Sequence, residues 1–154
     1  MGYLQGKYHV KNPQKYAGNV EGVVYRSSYE LKFMNFLDRH PNVVRWASEE
    51  FFIPYTWNGE PHRYFPDFLI EFKSADGEIK KMVVEIKPSH QTHPPQAPKR
   101  QTRKALEVYE NAIATYTKNI SKWEAAKKFC EKNGAKFIVL TENELFKGNF
   151  TSKK

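Results

Sequence analysis

The feature that most restricts this chain is a strand, long helix and strand in its second half. A strand-like run at residues 80–87 leads into a loop holding four prolines between Pro88 and Lys99. Residues 102–132 then read as helical, with an expected break near Asn119, and Asn133-Gly134 caps the stretch. Residues 136–140 form a last apolar strand. Two strands joined through a crossover helix lie parallel in one sheet, because a tight turn joins only antiparallel neighbours. The first of these strands also closes a hairpin, so the sheet is antiparallel elsewhere. The expected class is mixed α/β (α+β), with a central mixed β-sheet flanked by α-helices.

Upstream, a helix begins at Ser27 or Ser28 and runs to about His40, where Pro41 stops it. Residues 43–46 are a short extended piece. Residues 49–57 read as a strand, Asn58-Gly59 as a turn and residues 63–73 as a second strand. The expected organisation is an irregular basic arm over residues 1–22, one folded domain over 23–147 and a frayed tail over 148–154.

The hairpin around Ala75-Asp76-Gly77 carries the chemistry. In residues 84–87, strand alternation puts Glu85 and Lys87 on one face and Val84 and Ile86 on the other. In the partner strand Phe68, Ile70 and Phe72 share a face, and Asp67 lies on the opposite one. A two-residue turn would set Asp67 against Ile86 and separate the carboxylates. A three-residue turn with Gly77 in a left-handed bulge pairs Ser74 with Glu78 and sets Asp67 against Glu85. The second register gathers Phe68, Ile70, Phe72, Met82, Val84 and Ile86 into one apolar face. A one-residue slip is costly when a face is buried, so this register is the expected one.

Two carboxylates and an ammonium then stand side by side. Adjacent carboxylates repel, and burial worsens the conflict. A divalent cation resolves it, and hard oxygen ligands suit Mg2+, or Mn2+, better than zinc. Solvated hairpin charges are the competing reading. Against it, Pro66 interrupts a strand beside Asp67, where proline costs a ladder hydrogen bond. Glu85 and Lys87 also occupy the strand expected at the centre of the sheet.

Glu30 falls on the same helical stripe as Phe33, Met34 and Leu37, which should face the core. It is either a further acid of the site or the far half of a capping box, Ser27-x-x-Glu30. Arg26 either binds phosphate or pairs with an acid. Glu49 and Glu50 are candidates to support the site from behind, without a choice between them.

The formal charge of +8 favours an acidic partner, nucleic acid first. Lys99, Arg100, Arg103 and Lys104 follow Lys87 across the loop and are candidate DNA contacts, with a solvated helix start as the alternative. Asn119 and Lys122 are further candidates, while Trp123 fits the core better. His90, His93 and Cys130 make a poor zinc set. A single cysteine excludes an internal disulfide and suits a reducing compartment. No apolar run reaches the length of a membrane span, and the start lacks a signal-peptide pattern, so the expectation is a soluble chain.

Glu30 on a first helix, Pro66-Asp67 and Glu85-Ile86-Lys87 before a helix and strand together resemble the PD-(D/E)XK nuclease superfamily. The wider series is more specific: residues 25–33, Trp46-Ala47-Ser48-Glu49-Glu50, residues 62–68, Lys87-Pro88 and residues 122–126 occur in order. Over nearly the whole chain this is similar to the head completion nucleases of T-even-like tailed bacteriophages, and the layout resembles the TnsA-type transposon-end nucleases. The resemblance implies a restriction-endonuclease-like fold. It implies metal held by Asp67 and Glu85, with Glu30 as the helix-borne acid, and catalysis assisted by Lys87. It further implies hydrolysis of DNA, double-stranded by expectation, during head completion and head–tail joining. Phage head, portal and neck proteins would be its partners, no membrane would be involved, and its place would be the virion or the host cytoplasm. Two other functions fit the residues. One is a DNA-binding structural head protein with a vestigial site. The other is a site-specific nuclease of the restriction or transposition type, for which no target-recognition domain is visible.

Overall fold

The computed structural model describes residues 5–145; the tail expected at 148–154 lies outside them. The chain order is β1 (Gly6–Lys7), β2 (Val24–Tyr25), α1 (Ser28–Arg39), β3 (Val43–Ser48), β4 (Ile53–Trp57) and β5 (Glu60–Tyr64). It continues with β6 (Phe68–Lys73), β7 (Ile79–Ile86), α2 (Arg103–Lys132), β8 (Ala135–Leu140) and α3 (Glu142–Leu145). A four-stranded sheet runs in the order β3-β6-β7-β8. The pairs β3–β6 and β6–β7 are antiparallel, and β7–β8 is parallel across the α2 crossover.

The register of β6 on β7 follows from the turn. Ser74 N–H donates to the Glu78 carbonyl at 2.9 Å, and Gly77 N–H donates to Ser74 O at 2.9 Å. Gly77 sits at φ 86°, in the left-handed region open to glycine. This is the three-residue turn. Phe68 pairs with Val84 and Ile70 with Met82, so the apolar face assembles as the alternation requires. On that face Phe68, Ile70, Val84 and Ile86 pack with Phe33, Met34 and Leu37 of α1. The other face of the sheet meets α2: Phe137 and Val139 of β8 pack with Trp123, Ala126 and the inward side of the β4–β5 hairpin.

Several boundaries differ from the sequence reading. The strand expected over residues 63–73 is two strands, split at Phe65-Pro66-Asp67, because Pro66 can donate nothing to a ladder. The strand expected over 49–57 begins only at Ile53, and β4 with β5 forms a separate two-stranded sheet. The piece at residues 43–46 extends to Ser48 and forms the edge of the main sheet. Helix α2 is unbroken over 30 residues, and Asn119 is buried within it. The segment expected as an irregular arm is packed onto the domain: Tyr8 and Tyr16 belong to the main core. The buried Asp38 accepts from the amides of Lys11 and Asn12 at 2.8 and 3.3 Å. Lys15 Nζ donates to the carbonyls of Asp38 and His40 at 3.0 and 2.8 Å. The Lys15 side chain and the backbone of Lys11 and Asn12 thus hold the segment down.

Candidate active site

One step beyond the Phe68–Val84 pair, the register brings Asp67 opposite Glu85. The contact is direct at the backbone: Ile86 N–H donates to Asp67 Oδ2 at 2.8 Å. Glu85 is 7% exposed, on the α2 side of a central strand. Its two oxygens are held differently. The Tyr64 hydroxyl donates to Oε1 at 2.6 Å, and Lys87 Nζ lies 3.6 Å from Oε2. Burial pushes the Asp67 carboxyl well above the usual carboxylate range, and the charge of Glu85 pushes it further. Burial also raises Glu85, against the lowering effect of the Tyr64 hydrogen bond and of Lys87 and Lys122.

Glu30 takes part in a cap at the start of α1, though not as the reciprocal box expected from the sequence. Its amide donates to Ser27 Oγ at 3.1 Å, which caps α1. Its Oε1 accepts from the Arg26 amide at 3.1 Å, one residue before the Ser27 amide of the usual box. Its carboxyl is also close enough to Glu49 and Glu85 to feel their charges, which add to the effect of burial in raising it. Of Glu49 and Glu50, it is Glu49 whose charge acts on Asp67 and Glu30. It adopts φ 54° just after β3, and its amide donates to Asp67 O at 3.2 Å. A non-glycine residue in that region costs on the order of 1 kcal/mol, so packing must hold it there. Its carboxylate pairs with Arg26, while Glu50 accepts from the Tyr16 hydroxyl at 2.8 Å. Arg26 therefore pairs with an acid.

The helix residues divide into two groups. Lys122 points its ammonium over the Tyr64 ring, 5.7 Å from the centroid. Burial and then the charge of Lys87 lower its pKa, while Glu85 and Asp67 act to raise it. Lys122 thus belongs to the carboxylate centre, with the buried Asn119 one turn before it on α2. Lys99, Arg100, Arg103 and Lys104 are exposed and stand apart. Lys104 is 18 residues before Lys122 on one continuous helix, about 27 Å along its axis.

Asp67, half-buried, and Glu85, buried, offer hard oxygen donors whose charges repel one another, a set that suits magnesium or manganese. Among the described residues no group of three or more His, Cys, Asp or Glu side chains converges closely enough to cage an ion. Magnesium is commonly held by one or two carboxylates with water completing its shell, so the pair fits that ion. It does not fit a closed zinc site. Cys130 is buried, which removes it from any set with the loop histidines His90 and His93.

Sequence reasoning missed two residues here, Tyr64 and the choice of Glu49. Tyr64 is the last residue of β5, paired with Ile53, and the sequence carried no signal for its bond to Glu85.

The family model described as TnsA-like endonuclease N terminal matches residues 40–142 of the chain. The head completion nuclease of Enterobacteria phage T4 is 40% identical over 149 residues, covering 93% of this chain and 97% of that protein.

Proposed function

The chain belongs to the TnsA-like endonuclease family and is a DNA endonuclease of restriction-endonuclease-like fold; from that premise we propose that Asp67, Glu85 and Lys87 form its catalytic centre, loaded with Mg2+ or Mn2+, and that it acts on packaged DNA in phage head completion. The observation that carries the site is the juxtaposition of Asp67 and Glu85 across β6 and β7, with Lys87 Nζ 3.6 Å from Glu85 Oε2. When bound, the ion would supply Lewis acidity to the scissile phosphate and to the attacking water. The chain's own residues supply the rest. Tyr64 and the Ile86 amide fix the orientations of Glu85 and Asp67. Lys87 places a positive charge where the pentavalent phosphate gathers negative charge. Lys122 adds a second cation whose charge also acts on Glu85, and Glu30 and Glu49 keep the field around Asp67 negative, which favours a cation there.

The head-completion role rests on the T4 relative and on its coverage of both chains nearly end to end. Its partners would be phage head, portal and neck proteins, in the virion or the host cytoplasm. No helix among the described residues is long and apolar enough to cross a membrane. Incubation with linear and supercoiled DNA tests the chemistry: metal-dependent cutting without discrete sequence-specific fragments is the expected result. Discrete fragments would indicate a site-specific nuclease, and intact DNA a structural protein with a vestigial site. In a phage carrying Glu85→Ala in this gene, DNA-filled heads should accumulate without tails. A normal yield of infectious particles would contradict the role.

A further inference from the structure

Two phenylalanines at the open end of the β4–β5 hairpin take no part in the core. Phe52 is 44% exposed and Phe65 is 46% exposed. The hairpin register ends at Ile53 opposite Tyr64. Phe52 and Phe65 come next, across from one another at the open end, and alternation turns them away from the buried Ile53 and Tyr64. Their ring centroids are 5.6 Å apart, inclined at 52°. The guanidinium carbon of Arg63 lies 4.9 Å from the Phe52 centroid. This is an aromatic surface with a cation against it.

Its position is fixed relative to the chemistry. Phe65 is two residues before Asp67, which keeps their Cα atoms within about 7 Å. The residue between them, Pro66, is among the most completely buried in the chain. Tyr64, on the other side of Phe65, holds Glu85. The surface therefore cannot drift far from the carboxylates.

We propose that Phe52, Phe65 and Arg63 form a stacking platform for unpaired bases of the DNA substrate, so that the enzyme selects DNA with a single-stranded element next to the cut. The proposal rests on the nuclease reading of the site. Bases inside a duplex are stacked on each other and offer no free face. An unpaired base at an end, fork or flap offers one, and stacking on exposed aromatic rings is tolerant of sequence. Arg63 adds attraction for the base and the phosphate beside it. The charge of the chain, +8, suits a polyanion, which favours DNA over a protein partner at this patch.

The test compares the full chain with the double variant Phe52→Ala/Phe65→Ala in EDTA, where binding is read without cutting. Forked and blunt duplex oligonucleotides of equal length are the probes, and matched thermal unfolding confirms that the variant folds. The variant should bind the fork about tenfold more weakly while duplex binding changes by less than about twofold. Phe65→Tyr should keep the preference, since it keeps the ring. Equal losses on both DNAs, or no loss on the fork, would overturn the platform. So would unchanged DNA binding with a change in oligomeric state, which would assign the patch to a protein contact. The two readings fail separately: a fork preference in a wild type that cuts no DNA would uphold the platform and overturn the nuclease.

Discussion

The Tyr64 hydroxyl donates a 2.6 Å hydrogen bond to Glu85 Oε1, joining the small β4–β5 sheet to a central strand of the main one. The same ring packs on Trp123 and Ala126 of α2. Tyr64→Phe keeps that packing and removes only the donor, so the fold should persist. Groups that orient a metal-binding carboxylate are commonly worth 10–100-fold in affinity or activity, so an activity loss of about that size is expected, with a higher magnesium requirement. The bond lowers the Glu85 pKa, so its loss should raise it further and move the acid limb of the rate profile to higher pH. An unchanged limb with unchanged magnesium dependence would show that Tyr64 is only a packing residue.

Asp67 should destabilise the metal-free fold. Its folded pKa is raised by burial and by Glu85. The folded state then binds more protons than the unfolded one, and stability falls as pH climbs from the unfolded carboxylate range through the raised folded value. Asp67→Asn removes that loss. In EDTA near neutral pH it should raise the melting temperature by a few degrees, corresponding to about 1 kcal/mol, and the gain should vanish in acid. Magnesium should raise the melting temperature of wild type and not of Asp67→Asn. Calorimetry at two pH values, with and without metal, checks both signs.

Lys122 and Lys104 should fail differently. Lys122→Met removes a cation from the carboxylate centre and should slow cutting on DNA of any length. Arg103→Glu with Lys104→Glu acts about 27 Å away along α2, roughly eight base pairs of duplex. It should weaken binding to a duplex of about thirty base pairs and lower the salt slope, and leave a duplex shorter than about eight pairs little affected. Fluorescence anisotropy against duplex length and salt reads the difference. Equal effects at all lengths would remove the basic helix start from the DNA path.

Much of this site was legible in residues 67–87. The apolar alternation of Phe68, Ile70 and Phe72 against Met82, Val84 and Ile86, with a glycine able to take positive φ, admits one register, and that register puts Asp67 opposite Glu85. The parallel β7–β8 pair followed from the long crossover. What was hidden depends on tertiary contact. Tyr64 and Asp67 read as members of one strand, although the break at Pro66 puts β5 and β6 in different sheets. Glu49 and Glu50 are neighbours of the same chemistry, and only the left-handed turn at Glu49 sends one to Arg26 and the other to Tyr16. The fixed segment before β2 was hidden because it reads as an irregular basic arm, whereas the Lys11 amide donates to the buried Asp38 carboxylate and Lys15 Nζ to the Asp38 carbonyl.

The central claim is that Glu85, facing Asp67 and beside Lys87, is the heart of a metal-dependent nuclease. Supercoiled plasmid incubated with wild type and with Glu85→Ala, in magnesium, manganese or EDTA, tests it most directly. Nicking or linearisation by wild type in metal alone, with Glu85→Ala inactive though folded, is the predicted result. Cutting by both proteins, or cutting by wild type in EDTA, would contradict the claim.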